Sequence, residues 1–415
     1  MIGALAAGAG LVVSCAIMAR IPDLLQAPRL FLTLVVVAFA CYAAGIWRLA
    51  TLHGPRPMFV IVAIAVAARL LLAPASPTLS TDVYRYVWDA RVAHAGISPY
   101  LYPPSAKELE PLRDGEVFPR LNHPTWRTIY PPGAQAFFQA VYRLRPDSVL
   151  AMKVALGLAE LIGLAAVWGL LRASGRPVSQ LVIYAWNPLV LFEVWGMGHL
   201  EGLVLPAVAG AAWAALRARY AAAGVLLGLG ALVKLYPAAL LPLLPMAAWP
   251  GAWPAFLVVA VVGYAPAWIA GTPVVGSLPR YVSEEYFNPG LLRAVLDVPA
   301  LTLAVAGLWV VFVSVTRRDR TLAARAVLLI GGLTLLSPNI FPWYAVWLVP
   351  FLAAAPSAAW IAFTGSVMFA YAFFLQQPWA VPPWARVVEF APLAIGALCW
   401  LVRRHPALRW QGRTA

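Results

Sequence analysis

Charge is scarce in this sequence, and the scarcity excludes most of what a chain of this length can be. Asp, Glu, Lys and Arg make up 11% of its 415 residues, where a soluble domain carries about 25%. So little charge cannot cover a water-facing surface, which excludes an ordinary soluble enzyme. Lysine is scarcer still: Lys107, Lys153 and Lys234 are three of 30 basic residues. The formal charge of +14 suggests nucleic acid at first, but many of the arginines sit in short loops between apolar runs. Orientation of a membrane chain explains that placement better than nucleic-acid binding does. The three cysteines, Cys15, Cys41 and Cys399, fall inside apolar runs. They lack metal-ligand spacing and a disulfide framework and read as small core residues, so no metal or cofactor is expected. Missing too are a glycine-rich phosphate loop and a DxD pair, which disfavours a nucleotide site.

What the chain has instead is apolar length: 62% of its residues are hydrophobic. Runs at 2–19, 30–49 and 58–73 come first. Others follow near 148–171, 178–193, 202–216, 221–234, 237–248, 254–269, 294–315, 322–336, 343–355, 358–375 and 387–402. Their lengths predict an all-α polytopic membrane protein with about fourteen transmembrane helices, some short or re-entrant. The first run lacks a basic segment before it, so it reads as a span and not a cleaved signal. An N-terminus in the cytoplasm puts Arg48/Arg56, Arg172/Arg176, Arg217/Arg219, Arg317/Arg318/Arg320 and Arg403/Arg404 inside; Arg20 and Arg29 fall outside. The same parity puts nearly all acids outside, Glu160 and Asp319 excepted. Residues 1–415 thus read as one membrane module, with no soluble domain after Arg404. Its large first extracytoplasmic loop is 74–132, rich in proline and therefore turned and rigid. A second outer loop spans 271–293 and carries Glu284 and Glu285; a third is "LSPNIFPWY" at 336–344.

The stretch "STDVYRYVWDARVAHAGISPY", Ser80 to Tyr100, concentrates polar chemistry at the mouth of a span. Ser80 or Thr81 can cap a helix starting near Asp82. The helical period gathers Asp82, Arg85, Tyr86 and Asp89 on one face, with Val83, Val87 and Ala90 on another. This predicts a short amphipathic helix lying at the outer surface, ended by Gly96. A carboxylate in the first turn, favoured by the helix dipole and by Arg85, is suited to act as a general base toward a hydroxyl. The alternative is a set of i,i+3 and i,i+4 ion pairs on a solvated helix.

"DVYRYVWDARVAHAGISPYLYPP" followed by "NHPTWRTIYPPGAQAFF" resembles the first outer loop of GT-C fold membrane glycosyltransferases. Within them it is most similar to the bacterial polyprenol-phosphomannose-dependent mannosyltransferases. Asp82, Tyr84, Tyr86, Arg91, Gly96, Pro99, Tyr100, Tyr130, Pro131 and Pro132 match the pattern, while Ala90 and Ser98 depart from it. The resemblance implies a GT-C architecture whose first-loop aspartate, here Asp82, deprotonates an acceptor hydroxyl on the outer face. The oxygen then attacks the anomeric carbon of a polyprenyl-phosphate sugar with inversion.

Such a leaving group needs cations. Lys234 in "LVKLYP", Arg85 and Arg69 are the candidates, although lysines and arginines near span ends also snorkel to the interface. Asp89, His123, Tyr130, His199, Glu201, Tyr236, Asn339 and Tyr344 are candidates for sugar or acceptor contacts. His199 and Glu201 lie on the glycine-rich turn "EVWGMGHLEG", which allows close backbone approach. Trp343 and Tyr344 read equally as an aromatic belt. The expected function is transfer of a hexose, mannose by preference, at the outer face of a bacterial inner membrane. The expected partners are the lipid-linked donor, a glycan, glycolipid or protein acceptor, and membrane lipids, with no nucleic acid. Two rivals are an oligosaccharide polymerase or ligase using a lipid diphosphate, whose large loop is expected late in the chain, and a transporter, expected to show two matching halves.

Overall fold

Proline sets where several of the helices begin. Its ring fixes φ, and its missing N–H is no loss in a first turn. In the computed structural model, which describes residues 1–316 and 318–404, Pro28 opens α2, Pro55 opens α3 and Pro132 opens α5. Arg317 and the tail beyond Arg404 lie outside the described residues. In order, the α-helices are α1 (Ile2–Ala19), α2 (Pro28–Leu49), α3 (Pro55–Leu72), α4 (Asp82–His94), α5 (Pro132–Leu144), α6 (Val149–Ala173), α7 (Val182–Ala185), α8 (Pro188–Val190) and α9 (Glu201–Leu216). Then come α10 (Tyr220–Ala231), α11 (Trp249–Ile269), α12 (Leu278–Glu284), α13 (Arg293–Leu296), α14 (Pro299–Thr316), α15 (Leu322–Leu336), α16 (Val349–Ala354), α17 (Ala358–Ser366) and α18 (Pro383–Arg404). Among the described residues the chain forms no strand, only an isolated bridge between Pro289 and Asn339.

Eight helical stretches are long and apolar enough to cross a membrane, and four shorter apolar ones accompany them. This is an integral membrane protein of helical class, but fewer than the expected fourteen runs are continuous helices. The run near 178–193 is broken into a 3-10 turn, α7, α8 and a π-turn at Leu191–Gly196. Asn187 stops it before Pro188 by accepting from Leu189 N at 3.0 Å, while its amide donates to Tyr42 and Thr364. The run near 237–248 is 3-10 (Tyr236–Leu243 and Met246–Ala248), because Pro237, Pro242 and Pro245 deny it an α-helical ladder.

Close packing follows from small residues. On α10, Gly224 and Gly228 form a GxxxG stripe against α11; a Cβ at Gly224 would lie 2.1 Å from the Ala252 carbonyl oxygen. The buried charges are tied inside this bundle. Arg69 on α3 grips Glu160 on α6 with two bonds of 2.7 and 2.9 Å, and Trp195 Nε1 donates to the same carboxylate at 3.0 Å.

Helix α4 is where the expectation from pattern fails. It starts at Asp82, and Gly96 follows its end at φ +80°, as the sequence suggests. Yet it is buried almost all round: Val83, Val87 and Ala90 are enclosed, and so are Arg85, Tyr86, Trp88, Asp89 and Arg91. Segments 95–131 fold over it, so its polar face meets protein. Arg91 is held by Asp114 and Asp147 and by the Leu112 carbonyl. Against burial, which raises it, the Arg91 guanidinium and the backbone N–H groups of Phe118 and Val117 bring the Asp114 carboxyl down to about 2.

Candidate active site

The connections that follow α3, α10, α11 and α15 meet at one end of the bundle. Ser277 Oγ accepts from Arg127 N at 2.9 Å, and Asn288 Nδ2 donates to the Ile340 carbonyl at 2.8 Å. Loop 271–293 is thereby laid over loop 74–132, and between them lies a cavity of about 700 Å³. Asp82, Arg85, Asn122, His123, Trp126, Arg127 and Tyr130 supply one wall. Lys234–Tyr236, Tyr281, Glu285, Phe341, Trp343, Tyr344 and Trp347 supply the others. Leu235 and Trp379, 55% and 52% exposed, form a greasy edge, whereas His123 and Arg127 give a polar one.

Asp82 sits at the first position of α4 with 19% of its side chain still accessible. Its Oδ1 accepts from Asn122 Nδ2 at 2.6 Å, and its Oδ2 lies 3.8 Å from His199 Nδ1. Enclosure pushes the carboxyl above the ordinary carboxylate range; Lys234 and the Asn122 bond pull it partly back. The neighbouring phenols of Tyr86 and Tyr130 are held well above their usual range by burial first and by the Asp82 charge second. They stay protonated beside it, Tyr86 sandwiched on Phe138 at 4.6 Å.

Lys234, 20% accessible along its side chain, pairs with the buried Glu201. Its ammonium also lies 5.4 Å from the Tyr344 ring centroid and 5.6 Å from that of Trp347. Trp347 Nε1 donates to the same Glu201 oxygen at 3.2 Å. Tyr236 stacks on Trp347 at 4.0 Å, and Tyr344 bonds to Tyr281 at 2.8 Å. His123 pairs with Glu285 at 2.8 Å and stacks on Trp126 at 4.1 Å.

The structure brings Asp82, Arg85, His123, Tyr130, Lys234, Tyr236 and Tyr344 to the cavity and leaves others behind it. Arg69 does not reach it: both faces of its guanidinium are used by Glu160 and by the carbonyls of Ala65 and Ala185, so no phosphate contact is open to it. Arg85 borders the cavity, but its charge is spent on Asp89 at 2.8 Å and on the Trp126 carbonyl. Asp89 is enclosed between Arg85 and Gln135 and does not line the cavity. Glu201 holds Lys234 from behind. Asn339 ties the third loop to the Glu285 carbonyl at 2.7 Å. His199 is buried beneath Trp343, stacked at 4.0 Å, with Nε2 3.2 Å from Glu193.

Sequence reasoning missed Asn122 and Arg127. Arg127 borders the cavity, and among the described residues no ion pair or side-chain hydrogen bond engages its guanidinium. The signal for both was present in "NHPTWRTIYPP", where an amide and an arginine flank a Pro-turned histidine.

Residues 1–250 match the family model described as "Alpha-(1->6)-mannopyranosyltransferase, N-terminal domain". The chain is 33% identical over 164 residues to "GPI mannosyltransferase 1" of Aspergillus fumigatus, covering 39% of this chain and 34% of that protein. It is 26% identical to "Probable alpha-(1->6)-mannopyranosyltransferase" of Mycolicibacterium smegmatis, over 86% of this chain and 76% of that one. The chain thus spans about a third of the fungal relative's length and three quarters of the mycobacterial one's. No solved structure matches it.

Proposed function

Since the chain belongs to the alpha-(1->6)-mannopyranosyltransferase family, a family of glycosyltransferases, we propose that it transfers mannose from a polyprenyl-phosphate donor to an acceptor hydroxyl. The reaction is assigned to the extracytoplasmic face of a bacterial inner membrane, in a GT-C type architecture. The observation that carries this reading is a carboxylate and a lysine lining one cavity with an exposed apolar edge beside them. A sugar joined through phosphate to a lipid needs those three surroundings at once.

Asp82 takes the acceptor proton. Its raised affinity for protons improves it as a base, and the Asn122 amide fixes its orientation through the other oxygen. The acceptor oxygen then forms a bond to the anomeric carbon as the bond to the donor phosphate oxygen breaks on the opposite face, giving inversion. Lys234 and Arg127 are assigned to the departing phosphate, whose growing charge they stabilise. Tyr344, Trp347 and Trp126 offer flat apolar faces for the sugar, and His123 with Glu285 offers polar ones for the acceptor.

Asp82→Asn keeps the shape and the Asn122 contact and removes the proton acceptor. In purified protein with polyprenyl-phosphate mannose, transfer should fall by about 10²–10⁴-fold while melting behaviour is retained. Undiminished transfer by that variant overturns the assignment.

A further inference from the structure

A second cavity, of about 490 Å³, opens at the other end of the bundle, between the 3-10 segment ending at Ala248, α11 and α15. Glu201, at one end of α9, holds the catalytic-end lysine, while Leu216 at its other end borders this second pocket. The 16 residues of α9 set the two about 24 Å apart. Its charged lining is Arg318, Arg320 and Arg325, with no acid among the described residues that line it. The rest is apolar, including Leu216, Met246 and Trp249.

Arg325 is the unusual member. It is 7% exposed, donates to the Leu243 carbonyl at 2.8 Å and to the Ser314 carbonyl at 3.0 Å, and leaves its Nε buried with no partner. Exposed loop arginines satisfy the orientation rule of membrane chains without any pocket. That rule does not explain a buried guanidinium that lines a largely apolar recess and keeps an unsatisfied donor. Two helix N-termini, at Trp249 of α11 and Leu322 of α15, border the same recess and add to its positive potential.

We propose that this pocket seats the phosphate headgroup of an anionic phospholipid from the leaflet opposite the catalytic cavity. Arginine forks match phosphate oxygens in geometry and charge, and the Trp249, Met246 and Leu216 wall accommodates the upper acyl chain. A free phosphate shares the first feature and makes no use of the second, which favours the lipid.

The test uses the full chain in detergent, with bound lipid read by native mass spectrometry after exposure to phosphatidylglycerol or phosphatidylcholine. Wild type should retain phosphatidylglycerol and not phosphatidylcholine. Arg318→Gln/Arg320→Gln should retain it roughly 30-fold more weakly, each arginine near an anionic surface contributing a factor of about five. Both side chains are exposed, so this variant should melt like wild type in phosphatidylcholine; Arg325→Gln, which also loses carbonyl contacts, serves as a second probe. Equal retention by wild type and both variants overturns the site. Protection of wild type against heat by inorganic phosphate but not by phosphatidylglycerol overturns the lipid assignment.

Discussion

The Asp82 carboxyl carries opposite consequences for catalysis and for stability. Its proton affinity is raised by burial before any charge acts on it. As a base it works only when ionised, so transfer should rise with pH through an apparent pKa above the ordinary carboxylate range. A rate profile flat down to the ordinary carboxylate value contradicts this. For the fold the sign reverses: a raised folded value stabilises fully below the unfolded value, and that contribution is lost as pH climbs through the folded one. Arg69 and Glu160 make a second case. Arg69→Leu leaves a buried carboxylate unpaired and should lose about 3–5 kcal/mol, whereas Arg69→Leu/Glu160→Leu should recover most of it. Thermal melting of both variants in one detergent checks this. Asp82 was legible because a first-turn acid and a following glycine lie within one short stretch, although Thr81 at the N-cap makes no side-chain capping bond. The Arg69 pairing was not, since 91 residues separate the partners and nothing local distinguishes a paired arginine from a snorkelling one.

Short elements, more than the long spans, shape the cavity. Helix α12 carries Tyr281 to it, and the turn before α12 is fixed by Gly276 at φ +52°. A Cβ there would sit 1.8 Å from the Thr128 carbonyl oxygen, so Gly276→Ala must lift loop 271–293 away from loop 74–132. Displacing Glu285 and Tyr281 by about an ångström should lower transfer by up to about 10²-fold without lowering the melting temperature of the spans. Steady-state kinetics beside melting curves separate the two effects. Helix α4 shows why pattern misled at this scale. Its period-3.6 polar face pointed to water in the sequence, but Asn122, Trp126 and Gln135 had arrived to satisfy it. Charge on one face says that a partner is needed, not that the partner is solvent.

At the scale of the whole molecule, the proposed orientation puts loop 271–293 outside and the loop after α14 inside. With the three native cysteines removed, a cysteine at Glu284 should react with an impermeant maleimide added outside intact cells. One at Arg320 should react only after lysis, and the reverse pattern inverts the topology. The apolar runs, the helical class and the start of α4 at Asp82 were set by the sequence alone, because apolar length and the first-turn motif are local properties. Tertiary structure alone decided which cations are spent on buried acids. It also decided that Lys234, Asp82 and Arg127 share a cavity, because burial and ion pairing depend on residues far apart in the chain and become defined only once the helices pack.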